Sequence, residues 1–143
     1  MTARRQFIAG ALALACVPSA AQATPETVAE AVRALVAGRH VRDGALTIDV
    51  PPLVENGNAV PLTVAAPAGL SVVALHVFTE KNPQPHVLHA RFTAVTPVAR
   101  VATRVKLADS QTVLALAELA DGTFLRARAD VIVTLAACIE DPT

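Results

Sequence analysis

The residue whose side chain is most able to take part in covalent chemistry is Cys138. Only five residues follow it in the sequence. A thiolate is a nucleophile that can carry a covalent group, and exposure governs access to it. Glu140 and Asp141 lie close behind it, and their negative charge disfavours the thiolate form. The residues alone therefore leave three roles open: a reactive thiol near a chain end, a small apolar side chain packed on a strand, or a thiol that forms a homodimer disulfide.

The histidines are the next candidates, with His86 and His89 three residues apart and His76 upstream of them. A zinc site needs three or four converging ligands, and an i, i+3 pair on a strand points to opposite faces. The sequence also has no CxxC or HExxH motif. We therefore expect surface histidines and no metal site. A second hypothesis is a Cys–His pair in which a histidine activates Cys138, although nothing local supports it.

The acidic residues do not form a catalytic arrangement that the sequence reveals. They occur singly, in predicted turns or on outward faces, and glycoside hydrolysis needs two carboxyl groups facing one bond. No glycine-rich phosphate loop is present either. The single acids of the predicted domain are Asp43, Asp49, Glu55, Glu80, Asp109, Glu118, Asp121 and Asp130.

Composition restricts the function further. The chain has 12 basic and 12 acidic residues, 3% aromatic residues and neither Trp nor Tyr. A neutral chain has no bulk attraction for nucleic acid, and single-strand binding also needs aromatic stacking platforms. With 53% apolar residues, the core must consist of Val, Leu, Ala and Ile, a mixture that favours strands. We expect no nucleic-acid partner, and no motif in the sequence indicates a cofactor.

The first 23 residues have the features of a twin-arginine signal peptide. Arg4-Arg5 precedes a short apolar run, and Ala21-Gln22-Ala23 is an A-x-A cleavage site. The run is too short to span a bilayer, so we expect no stable membrane insertion. The alternatives are an N-terminal helix that stays attached and a lipid anchor on Cys16.

Cleavage after Ala23 would leave one mature domain, residues 24–143, exported to the periplasm. Removal of Arg4 and Arg5 changes the net charge from zero to −2. Cys16 leaves with the signal peptide, so Cys138 becomes the only cysteine and no internal disulfide is possible. A lone thiol in an oxidising compartment invites oxidation or mixed disulfides, and it therefore needs a role or protection.

The elements that must position Cys138 are one helix and about seven strands. Thr24-Pro25-Glu26 predicts a helix start, apolar residues follow at helical spacing, and Gly38 can end the helix. Turn signals then recur every 8–12 residues or so, which is typical of an antiparallel, immunoglobulin-like β-sandwich. The predicted strands are 45–50, 59–66, 71–79, 87–93, 99–107, 111–119 and 123–136. Cys138 would then lie two residues beyond the last strand.

Several separated blocks resemble SoxY, the sulfur-carrier subunit of the bacterial thiosulfate-oxidising Sox system. They occur in the same order as in that family and extend over the mature domain, and the twin-arginine signal is also similar. The blocks are 53–64, 75–85, Phe92-Thr93, 103–108 and 117–122.

This resemblance implies an immunoglobulin-like sandwich, a periplasmic location and a heterodimer with a SoxZ-like subunit. It also implies that a cysteine near the C-terminus, here Cys138, holds sulfur intermediates covalently. Other Sox enzymes would load, oxidise and hydrolyse the bound sulfur during transient contacts, so the carrier is not catalytic alone.

The sequence departs from the family at the carrier arm. The family arm reads Gly-Gly-Cys-Gly-Gly, whereas this chain has Ala136-Ala137-Cys138-Ile139-Glu140 and ends in Asp-Pro-Thr. Glycine allows positive φ and free swinging, which alanine does not. The alternatives are therefore a non-carrier binding or scaffold subunit in which Cys138 is structural, and a small thiol-dependent transferase.

Overall fold

The structure is a computed structural model that describes residues 22–93 and 96–137. The predicted signal peptide, up to residue 21, and Cys138 lie outside the described residues. No helix of the described part is long and apolar enough to cross a membrane.

The one α-helix among the described residues begins where the sequence predicts it. Helix α1 spans Pro25–Val36, and Thr24 is its N-cap residue. The Thr24 side chain accepts a hydrogen bond from the Thr27 amide, and Thr27 Oγ1 accepts one from the Thr24 amide. This reciprocal capping satisfies two donors that the first helical turn leaves free. The helix ends at Ala37, which adopts left-handed geometry (φ 49°), one residue before the predicted Gly38.

Nine strands follow the helix within residues 22–93 and 96–137, and all seven predicted strands are among them. The two strands that the sequence did not indicate, β1 and β3, are only three and two residues long. In chain order the strands are β1 Val41–Asp43, β2 Thr47–Asp49, β3 Leu53–Val54, β4 Val60–Ala65, β5 Val72–Thr79, β6 His86–Arg91, β7 Arg100–Val105, β8 Gln111–Leu119 and β9 Phe124–Val133. A short 3-10 helix, Gly57–Ala59, occupies the predicted turn before β4.

The strands form two sheets, which confirms the immunoglobulin-like sandwich. The larger sheet has the order β1-β9-β8-β5-β6, with β3 also paired to β9, and the smaller one has the order β2-β4-β7. All pairs are antiparallel except those of β1 and β3, which run parallel to β9. The terminal strand β9 is therefore bonded to β8 on one side and to both short strands on the other.

The protein buries apolar side chains in two layers. The main core lies between the two sheets and includes the fully buried Val60, Leu107 and Val113. A second cluster lies where α1 packs on the outer face of the larger sheet, and it contains both Phe78 and Phe124. Helix α1 thus packs on the domain, which is the simpler of the two roles that its apolar stripe allows.

The last strand ends three residues earlier than the sequence predicts, at Val133 instead of residue 136. Beyond Thr134, whose amide still donates to Val54 in β3, the chain bonds to Gly57 and Leu107, which lie outside the strands. Cys138 therefore follows the end of β9 by five residues instead of two.

Candidate functional site

The segment between β9 and Cys138, residues 134–137, is attached to the domain by its backbone, and we call it the stem. The Thr134 amide donates to the Val54 carbonyl (2.9 Å), and the Gly57 amide donates to the Leu135 carbonyl (2.8 Å). The Ala137 amide donates to the Leu107 carbonyl (3.1 Å). The residue directly before the predicted carrier cysteine is therefore held by the loop that follows β7.

Gly57 is the point where the stem and two loops meet. Its amide binds the stem, and its carbonyl accepts a hydrogen bond from the Leu107 amide (2.8 Å). A Cβ atom there would collide with the Leu107 carbonyl oxygen and lie 2.9 Å from the Ala137 nitrogen. Gly57 does not have positive φ, so close approach of backbone, and not turn geometry, requires the glycine.

Three large apolar side chains are exposed beside the stem, and we call them the apolar patch. Leu53 and Ile132 are paired neighbours on β3 and β9, and each is 59% exposed. Leu135, within the stem, is 62% exposed. Exposed apolar side chains that lie together are typical of an interaction surface.

The histidines form a cluster on the outer face of the larger sheet, next to α1. The ring of His76 lies 4.6 Å from that of His89 and 5.2 Å from that of His86, measured between centroids. His76 Nδ1 and His86 Nε2 are 3.2 Å apart. His76 is buried, whereas His86 and His89 are exposed above it.

The expectation that His86 and His89 point to opposite faces is therefore wrong. The register between β5 and β6 shifts after Val77, so that His76 pairs with His89 while Phe78 pairs with His86. The shift leaves Val87 as an extra residue in β6. Such a bulge turns the next side chain to the other face, and it places three imidazoles together.

The surroundings of His76 keep it uncharged at neutral pH. Burial, helped by the nearby His89 and His86, lowers the pKa of His76 to about 4. Burial and His89 also lower the pKa of His86. The second nitrogen of His76, Nε2, has no hydrogen-bond partner and lies 3.8 Å from Glu118 Oε2.

Arg39 connects this cluster to the end of α1. Its guanidinium donates to Glu118 Oε1 (2.9 Å) and to the carbonyls of Leu35 and Val36. It also stands over the ring of Phe124, 4.5 Å from the centroid, which is a favourable cation–π distance. Glu118 is therefore held in place between an arginine and a histidine.

Several of the remaining acids have structural partners. Asp43 forms a two-pronged ion pair with Arg126 (2.6 and 2.8 Å), which lowers the pKa of Asp43. Asp109 lies 3.4 Å from Lys81, and Asp121 accepts hydrogen bonds from Thr123. Over residues 22–93 and 96–137, no three His, Cys, Asp or Glu side chains already converge on a common metal position.

These features define a class: an immunoglobulin-like sandwich whose terminal strand leads, through a tethered stem, to a cysteine near the chain end. Residues 32–138 match the family model described as sulfur oxidation protein SoxY. This is well over half of the chain, and the protein therefore belongs to the SoxY family. The matched segment ends on Cys138.

Solved structures agree with this assignment. The sulfur carrier protein SoxY from Chlorobium limicola f thiosulfatophilum matches with a TM-score of 0.64 and 25% identity, over 73% of this chain and 89% of that one. A protein assigned as a superoxide reductase from Thermotoga maritima has a TM-score of 0.51 and 20% identity, over 69% and 89% of the two chains. The second match reflects the shared fold alone. Among curated protein sequences, no significant match was found.

Sequence reasoning missed two parts of the site. The tether at Gly57 depends on contacts between three loops, for which the sequence contains no signal beyond the glycine itself. The histidine cluster depends on the extra residue in β6, which alternation in the sequence did not reveal because Val87 and Leu88 are both apolar.

Proposed function

We propose that this protein is a periplasmic sulfur carrier that holds sulfur intermediates covalently on Cys138 while other enzymes act on them. The observation that carries the proposal is that the family match extends to Cys138 and ends there. The stem directly before Cys138 is anchored to the domain by its backbone hydrogen bonds. The family membership supports a carrier and not a complete enzyme.

The proposed chemistry needs partners, as its electron balance shows. Joining thiosulfate to the Cys138 thiol forms one S–S bond, releases the thiol proton and yields two electrons. A redox enzyme of the same system must accept these electrons. Later hydrolysis breaks the bond between the two thiosulfate sulfurs: water supplies the oxygen of the released sulfate, two protons are released, and a persulfide anion stays on Cys138. Export by the twin-arginine signal would place the carrier in the periplasm, with residues 24–143 as the mature domain.

We further propose a heterodimer with a SoxZ-like subunit that covers the apolar patch. The patch adjoins the stem and leaves Leu53, Ile132 and Leu135 largely exposed. A partner seated there would bury these groups beside the carrier arm. Ile132→Ser should weaken co-purification with the partner, whereas Val98→Ser, which changes another exposed apolar residue, should not. Equal co-purification of both variants would exclude the patch as the interface.

The second candidate is a scaffold subunit of the same family in which Cys138 carries nothing. The observation that favours it is the hydrogen bond between Ala137 and Leu107, together with alanines in place of the family's flexible glycines. This bond restrains the chain directly before the cysteine.

Intact mass of the protein purified from sulfur-grown cells separates the two candidates. A sulfur or sulfur-oxyanion adduct that disappears with reductant and in the Cys138→Ser variant supports the carrier. An unmodified mass, with a thiol that does not react with an alkylating agent in the folded state, supports the scaffold. Cys16→Ser is the matched control, because Cys16 lies in the predicted signal peptide and its loss should leave the adduct unchanged.

A further inference from the structure

We propose that His76, His86 and His89 form a binding site for a divalent transition-metal ion, of the type that prefers imidazole nitrogen, on the outer face of the larger sheet. Imidazole ligands suit copper, zinc and nickel, and affinity among these ions is highest for Cu²⁺. The proposal does not depend on the carrier function.

The distance between two ring nitrogens carries the proposal. His76 Nδ1 and His86 Nε2 face each other at 3.2 Å. Two ligands of a tetrahedral ion with metal–nitrogen bonds of about 2.0–2.1 Å lie about 3.3 Å apart. The pair therefore has the separation of two ligands on one tetrahedral ion such as Zn²⁺. Adjacent ligands of tetragonal Cu²⁺ lie somewhat closer together, and small side-chain rotations would bring the two nitrogens to that distance. Without the ion, a single N–H···N hydrogen bond joins these two nitrogens. Binding would need only a change of tautomer in the ring that donates this bond, with no net release of protons.

The buried ring of His76 also has a carboxylate near its second nitrogen. Nε2 of His76, whose side chain is 3% exposed, lies 3.8 Å from Glu118 Oε2 and has no hydrogen-bond partner. A histidine that binds a metal usually donates its second N–H to a carboxylate or carbonyl, and Glu118 would take that role for His76. Arg39 in turn fixes the Glu118 carboxylate.

His89 supplies the third nitrogen. The centroid of its ring lies 4.6 Å from that of His76 and 5.9 Å from that of His86. The side chain is exposed, and rotation about its side-chain bonds would bring a ring nitrogen to the ion. Two ligands are in place and the third reaches the ion by rotation, which is why the three do not converge in the present arrangement. Water would occupy the remaining positions, because the cluster opens to solvent.

The test is titration of the protein with Cu²⁺, followed by electron paramagnetic resonance. The chain should carry Cys16→Ser and Cys138→Ser, so that no thiol competes for the ion. We expect one bound Cu²⁺ with spectral coupling to two or three imidazole nitrogens. His76→Gln and His86→Gln should each weaken binding by more than the roughly 10–100-fold that loss of an outer partner costs. Glu118→Gln should fall within that smaller range.

His40→Gln is the matched control, because His40 is the remaining histidine and lies outside the cluster. It should leave affinity and coupling unchanged. Circular dichroism of each variant distinguishes loss of the site from loss of the fold. The proposal is overturned if the thiol-free protein binds no Cu²⁺ at micromolar concentration. It is equally overturned if folded His76→Gln and His86→Gln variants bind as well as the parent, or if His40→Gln removes the signal.

Discussion

Substitution of Gly57 by alanine should release the stem that precedes Cys138. The new methyl group would collide with the Leu107 carbonyl and come within 2.9 Å of the Ala137 nitrogen and 3.1 Å of Val133 Cγ1. The first two obstacles are backbone atoms, which cannot rotate away. The loops must therefore separate, or the stem must leave.

The cost follows from the hydrogen bonds that meet at this point. Separation would break the bonds from Gly57 to Leu135, from Leu107 to Gly57 and from Ala137 to Leu107. At about 1 kcal/mol net for each bond, the free energy of unfolding should fall by about 3 kcal/mol. This lies at the upper end of the roughly 1–3 kcal/mol that overpacking costs.

Urea unfolding followed by circular dichroism measures this change. Gly44→Ala is the control, since Gly44 has positive φ (87°) and nothing lies within 4 Å of a Cβ atom there. It should lose only the roughly 1–2 kcal/mol of left-handed backbone strain. Alkylation of Cys138 in the folded protein should also be faster in Gly57→Ala than in Gly44→Ala. The tether argument is refuted if Gly57→Ala costs no more than Gly44→Ala and leaves the alkylation rate unchanged.

Three further predictions concern the outer face of the larger sheet. The pKa of His76 is about 4 in the fold and 6.5 ordinarily, so the unfolded chain binds its proton first as pH falls. The free energy of unfolding should therefore decrease by about 2–3 kcal/mol between about pH 6.5 and 4, after allowance for the screening of its two exposed histidine neighbours. Below pH 4 it should not decrease further from this cause. Urea unfolding is measured at several pH values in a chelating buffer, and the free energy of unfolding should change less steeply with pH in His76→Gln than in the parent. An equal pH dependence would contradict the assignment of this effect to His76. Arg39→Ala should lower the free energy of unfolding by about 1 kcal/mol, because this 38%-exposed side chain loses its bonds to the helix end, to Glu118 and to an aromatic face. Arg33→Ala, which removes an exposed side chain on α1, should cost less in the same assay. Equal costs would argue against a stabilising role for the contacts of Arg39. Phe124→Ala should cost about 3–5 kcal/mol in urea unfolding, because Phe124 is fully buried between α1 and the sheet; a loss below 1 kcal/mol would mean that the helix contributes little to the core.

The sequence predicts the framework of this protein because its signals are local. Thr24 and Pro25 mark the helix start, and alternating or continuous apolar runs between turn residues mark seven strands. Strands β1 and β3 escape prediction because two or three residues contain no periodicity. They form only because β9 offers a free edge, which is a property of the assembled sheet.

The site is less predictable, since it depends on long-range register. One extra residue in β6 decides whether His86 lies beside His76 or on the opposite face. Alternation rules assume an unbroken ladder, so they give the wrong face once a bulge intervenes. Likewise, Gly57 looks like a turn glycine in the sequence, whereas the structure uses it for close contact with the stem. The role of Cys138 stays a prediction.

The pairing of β9 has a mechanical consequence. A partner that draws the segment beyond residue 137 into its own cleft pulls β9 along its axis. This force acts along β9 and would have to slide it past β8, β1 and β3. Many inter-strand hydrogen bonds would then have to break at the same time. The backbone hydrogen bonds of the stem, at Ala137, Leu135 and Thr134, can instead break one after another, beginning with that of Ala137. Tension on the chain end would therefore lengthen the reach of the cysteine by a few residues and stop at Val133, with the sandwich intact.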